Sequence, residues 1–232
     1  MSILAASVGV ATVGVASIAR ADIDDWTEVP QYTSSPEHFG LELRVGIYTP
    51  TSLGSTFSSP QYFGGDVGPL LSAELHYYPF RIDYLGLVGI GGGFGWSQWD
   101  TEMPGGMAGD RNVFEILEPR AFLVWRIDPL DYYLDIPFVF TAKLGFDFLY
   151  WLTSSGGVTD GDGWALGPRF SGKASLVLDF LEPRAARQLD DEWGINHSEV
   201  FFEMYYSTAG DLFSSQLPVS GWGWVAGLGF TF

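Results

Sequence analysis

Three features of this 232-residue sequence predict an all-β fold, a single eight-stranded antiparallel up-and-down transmembrane β-barrel preceded by a signal peptide. Apolar and polar residues alternate over about eight segments, the period of a strand with two unlike faces. Charges in those segments keep almost entirely to one face. The connections alternate between long and short, as a barrel with long loops at one mouth requires.

Composition agrees with that class. Hydrophobic residues make up 47% and aromatics 16%, yet mean hydropathy is only +0.13. Past residue 20, polar residues interrupt every apolar stretch before the ~20 residues that a membrane helix needs. Zero cysteines exclude a disulfide scaffold and a cysteine metal site. The net charge of −17 excludes a nucleic-acid partner, whose phosphates call for Lys and Arg.

Residues 1–21 read as the signal peptide. Ile3–Ile18 is apolar or small, and Ala19-Arg20-Ala21 supplies a small-x-small cleavage pattern before Asp22. Met1-Ser2 lacks the usual basic start. Residues 22–37 form an acidic periplasmic segment with Asp22, Asp24, Asp25, Glu28 and Glu37.

The barrel spans 38–232. Its strands are expected at His38–Tyr48, Leu70–Tyr78, Tyr84–Gln98, Val113–Ile127, Pro137–Leu152, Pro168–Phe180, Ser198–Thr208 and Trp222–Phe232. In the first, Phe39, Leu41, Leu43, Val45 and Ile47 oppose Glu42 and Arg44. In the second, Leu71, Ala73, Leu75 and Tyr77 oppose Glu74 and His76. The third carries Gly89, Gly91, Gly93 and Gly95 on one face. The fourth sets Leu117, Ala121, Leu123 and Trp125 against Glu118, Arg120 and Arg126. The fifth sets Phe138, Phe140, Leu144, Phe146 and Phe148 against Lys143 and Asp147. The sixth opposes Phe170, Ala174, Leu176, Leu178 and Phe180 to Arg169, Lys173 and Asp179. The seventh opposes Val200, Phe202, Met204 and Tyr206 to Glu199 and Glu203. In the eighth, Trp222, Trp224, Ala226, Leu228, Phe230 and Phe232 face away from a glycine-rich side. Only Glu115 breaks the parity. A charge at mid-membrane on the lipid side costs about 2–4 kcal/mol, which explains the segregation.

The long connections are Thr49–Pro69, Trp99–Asn112, Thr153–Gly167 and Ala209–Gly221; Pro79–Asp83 and Asp128–Ile136 are short. The third turn, Leu181–His197, has room for a helix of one or two turns beginning at Glu182-Pro183. Both termini then lie at the short-turn mouth.

Eight strands leave a lumen just wide enough for side chains to fill it. The expected lumen charge network is Glu42, Arg44, Glu74, His76, Glu118, Arg120, Arg126, Lys143, Asp147, Arg169, Lys173, Glu199 and Glu203. Glycines of the third and eighth strands leave space for its long side chains. The lumen reads as a packed polar core, with a narrow gated pore as the alternative. Trp96, Trp125, Trp151, Trp222 and Trp224 are expected at the membrane interfaces.

Little else suggests chemistry. Gly89–Gly93 lacks the spacing of a nucleotide loop. Asn196-His197-Ser198-Glu199 has the residue types of Ser-His-acid hydrolysis, but neighbours on a strand point to opposite faces. Asp160-Gly161-Asp162-Gly163 lacks a full Ca²⁺ ligand set. No catalytic residue, cofactor or metal ligand is assigned.

The signal-like start, alternating strands, loop rhythm and terminal Phe232 resemble the small eight-stranded outer-membrane β-barrels of Gram-negative bacteria. The resemblance implies outer-membrane lipid and lipopolysaccharide as surroundings. It also implies barrel-assembly machinery and periplasmic chaperones as partners in biogenesis, with Phe230 and Phe232 in the assembly signal. A non-enzymatic structural or surface-interaction role is expected. The alternatives are a narrow channel for ions or small apolar molecules and an envelope-lipid-modifying enzyme.

Overall fold

A computed structural model describes residues 37–50, 68–102, 111–134, 136–211 and 219–232. The expected signal peptide, most of the expected acidic segment and the centres of three long loops lie outside these residues. Eight strands form one closed barrel in sequence order: β1 Phe39–Pro50, β2 Gly68–Ile82, β3 Gly86–Glu102, β4 Arg111–Ile127, β5 Phe138–Ser155, β6 Val158–Val177, β7 His197–Ser207 and β8 Gly221–Thr231. All neighbours are antiparallel, and β8 closes on β1 from Gly40↔Thr231 to Pro50↔Gly221. Main-chain bonds from His38 and Phe39 to the Phe232 carbonyl, 2.6 and 3.0 Å, complete the seam.

The alternation selects the two surfaces. Leu43, Leu75, Ile90, Leu123, Phe140, Phe170, Phe202 and Leu228 are exposed on the outer wall, one or more from every strand. Every charged residue expected in the lumen is buried. This is the reverse of a soluble barrel. Membrane-crossing strands need about 9–11 residues, whereas β3 to β6 have 17, 17, 18 and 20. The excess lies at the long-loop mouth, where β3–β6 rise as a four-stranded sheet.

That extension corrects the third long loop. β5 and β6 continue into it and meet at Gly156-Gly157, whose φ values of 57° and 81° suit a two-residue hairpin turn. A bulge between Thr153 and Ser154 absorbs one residue of register. Asp162 lies on this hairpin and accepts a 3.0 Å bond from the Tyr150 hydroxyl. At the other mouth, Tyr84 belongs to the β2–β3 turn, with φ 62°, and its ring stacks on Tyr133 at 4.9 Å.

Two helices occupy the short-turn mouth among the described residues. α1, Pro129–Leu134, is an addition that the sequence reading omitted; Asp128-Pro129 starts it, with the Tyr132 amide bonded to the Asp128 carbonyl. α2, Pro183–Trp193, is the expected helix extended to 11 residues. Gly194 ends it in the left-handed conformation, φ 67°, with Gly194 and Ile195 amides bonded back to Asp190 and Leu189.

Inside, bulky residues lie against glycines of the adjacent strand. Phe122 is paired with Gly91, Trp151 with Gly163 and Tyr205 with Gly223. A Cβ on any of these glycines would run into the ring opposite. Gly93 and Gly95 similarly adjoin Glu74, Arg120 and Glu118. Glycine therefore makes an eight-stranded lumen wide enough for aromatics and arginines.

Candidate functional site

The lumen is the site to which most of the sequence's polar chemistry converges. Near the short-turn mouth, Arg126 of β4 donates to Glu199 of β7 at 2.7 Å. Lys173 of β6 bridges Glu199 and Glu42, the latter at 2.7 Å. Glu42 and Glu74 are direct cross-strand partners on β1 and β2, an arrangement that would repel if unrelieved. Lys143 relieves it from β5, across the lumen, with Nζ 2.9 Å from Glu42, 2.5 Å from Glu74 and 3.0 Å from Glu203. Arg44 joins Glu74 and Glu203, the latter at 2.5 Å. Arg120 donates to Glu74 at 3.1 Å, and Arg169 holds Glu118 and Asp147. His76 faces Glu74 at 3.4 Å and the Tyr78 hydroxyl at 2.9 Å.

All thirteen expected network residues are thus buried in one space. Among the described lumen residues of β1–β8, six carboxylates meet six Arg and Lys side chains. Two further acids of the expected strands, Glu115 and Asp179, lie outside the lumen. Glu115 is on the outer side near the loop end of β4, where it accepts from the Trp96 indole. Asp179 lies beyond the end of β6, at the rim.

Above the charges, the lumen is plugged by apolar packing. Tyr48, Leu70, Trp99, Phe114, Ile116, Leu149, Trp151 and Tyr205 are buried in one cluster. Tyr48 stacks on Tyr205 and donates to the Val219 carbonyl, while the Arg169 guanidinium lies 3.6 Å from the Tyr205 ring centre. Trp151 is therefore a correction: it is 7% exposed and points inward, not to the membrane interface. Its parity with Lys143 and Asp147 is the signal that could have placed it. Trp99 is inward for the same reason. Trp125, Trp222 and Trp224 are exposed outside, and Trp96 is half-buried there.

A second cluster, missed in the sequence, forms the rim of the short-turn mouth. His197 contacts Asp179 through Nδ1 at 2.5 Å and Glu37 through Nε2 at 3.0 Å. Arg81 donates to Glu37 at 2.9 Å and Asp128 at 3.1 Å. Burial opposes ionisation of Glu37, but the hydrogen bond and charge of His197, with Arg126 and Arg81, hold its carboxyl below the ordinary 4.5. The residues come from five separate segments, so spacing along the chain carries no sign of the cluster.

This geometry does not assemble the hydrolytic set. Both His197 nitrogens face carboxylates, Glu199 is committed to Arg126 and Lys173, and the Ser198 amide bonds Asp179 at 3.3 Å. Glu42, Glu74 and His76 have potential ligand atoms within 4.8 Å of one another. Lys143 and Arg44 already neutralise those carboxylates, so a metal ion would meet two resident cations.

An apolar outer wall around a charge-paired lumen defines a small transmembrane β-barrel. No protein-family model matches the sequence, and no curated protein matches it. Similar solved structures include Neisserial surface protein A, 11% identical over 87% of this chain and 100% of that one, TM-score 0.48. The Yersinia pestis attachment invasion locus protein Ail, solved with the heparin analogue sucrose octasulfate, is 12% identical over 84% and 99%, TM-score 0.47. The N-terminal β-barrel domain of Pseudomonas aeruginosa OprF is 6% identical over 85% and 100%, TM-score 0.46.

Proposed function

We infer that this protein is a non-enzymatic integral outer-membrane barrel whose role is structural or surface-interactive, with its termini periplasmic. The observation that carries this reading is the filled lumen. Charge pairs span it from wall to wall, and Trp99, Phe114, Trp151 and Tyr205 pack above them. Opening a pore would separate buried ion pairs, each costing about 3–5 kcal/mol to break by loss of one partner. The raised β3–β6 sheet, with Trp164 and Val158 exposed on its hairpin, is the part available to a partner outside the membrane. Phe230 and Phe232 serve assembly in this reading, through the barrel-assembly machinery.

The test is conductance in planar bilayers of protein shown to be folded by its gel mobility before and after boiling. Folded protein is expected to give no discrete current steps while a porin control does. Reproducible steps would replace this reading with the narrow channel.

A further inference from the structure

The lipid-facing surface does not end with the strands. Leu176, Leu178 and Phe180 follow one another along the outward parity of β6 and past its end. Phe180 is 54% and Leu181 65% exposed. Two residues later the chain enters α2. On that helix Ala185, Ala186, Leu189 and Trp193 recur at the spacing of one helical side. Arg184, Gln188 and Asp191 lie off that side, and Gln188 donates to Glu192 at 2.8 Å. None of the helix's residues is buried, and Trp193 is 72% exposed. Ala185 and Trp193 are thus open on this side, while Ala186 and Leu189 are half-buried.

The position of the helix is narrowly bounded. The Leu178 amide bonds the Ser198 carbonyl, and the Asn196 amide bonds the Thr231 carbonyl. The chain before α2 is thus bonded to β7 and the chain after it to β8, each within a few residues of the helix. A helix of 11 residues is about 16 Å long, so it cannot leave the barrel's mouth. The strand ends that carry it lie where the apolar wall passes into water, the zone in which amphipathic helices and Trp side chains settle.

We propose that α2 is an interfacial helix, lying in the headgroup region of the leaflet at the short-turn mouth. Trp193, Leu189 and Leu181 enter the acyl boundary, and the polar side faces water. The occupant of its apolar side is the phospholipid of the bilayer that the barrel spans. The helix fixes the depth and tilt of β6 and β7 in that bilayer. This inference rests on the membrane reading of the wall, whose lipid-facing strip it continues.

The chain has no cysteine, so single nitroxide labels can be placed without background. The variants are L181C, L189C, D191C and W193C, with L123C as a wall control, each in vesicles of phosphatidylethanolamine and phosphatidylglycerol. Labels at 181, 189 and 193 are expected to collide several-fold more with oxygen than with a water-soluble nickel chelate, and the label at 191 the reverse. A nickel preference at 181, 189 and 193, with oxygen preference at 123, would place α2 in water and overturn the proposal. Protection from both reagents would show a protein-covered face and overturn it equally. A nickel preference at 123 would instead overturn the membrane reading itself.

Discussion

Lys143 ties several walls of the lumen together, because one ammonium contacts Glu42, Glu74 and Glu203 from three other strands. Replacing it by Met leaves three carboxylates crowded in a buried space. Loss of a buried partner costs about 3–5 kcal/mol, so K143M should lower the urea unfolding midpoint by that equivalent in detergent. K143R retains the charge and should recover part of it. A midpoint unchanged in K143M would mean that water or a neighbouring base replaces the ammonium. Glu37 permits a pH prediction. Its carboxyl is held below 4.5, so its stabilising contribution is complete above that value. The contribution is lost as pH falls through the lower folded value. Carbon NMR should find Glu37 titrating below an unfolded reference peptide, and E37Q should lose this part of the acid sensitivity.

At the scale of elements, the barrel depends on where its glycines point. Gly91 lies beneath Phe122, whereas nothing stands within 4 Å of a Cβ built on Gly172, on the outer face. G91V should therefore cost about 1–3 kcal/mol through overpacking and reduce the heat-modifiable fraction. G172A should leave stability within about 0.5 kcal/mol. Equal effects would exclude the difference in packing between the two faces. The strands themselves were legible because parity repeats: Glu42 and Arg44 cannot change faces without moving Leu43 and Val45 with them. Departures came where local composition outweighed parity. The glycines and aspartates of 156–163 read as a loop, yet Gly156-Gly157 is a hairpin turn and the residues after it pair with β5. Trp151 read as an interface residue from its place near a strand end, although its odd number put it inside. α1 has no sign in the sequence because six residues, Pro129–Leu134, are too short a pattern for periodicity to register.

For the whole molecule, the sign of the two surfaces is the property that decides its solvent. Leu123 is 60% exposed on the outer wall. If that wall meets hydrocarbon, L123R should cost about 2–4 kcal/mol when mid-membrane, measured as folding stability in lipid vesicles. A soluble barrel would accept the same change with little effect, so a neutral result would remove the protein from the membrane. The eight strands, the outward and inward sets and the balance between lumen acids and bases all follow from the order of residues along the chain. Alternation is a local property, and each strand displays it independently. That Lys143 reaches Glu74 and Glu203, that Glu37 meets His197, and that Trp99 and Trp151 share a plug is seen only in the closed barrel. Those meetings depend on strand stagger and barrel closure, which set the height of each residue around the wall. Alternation gives a residue its face; it contains no measure of that height.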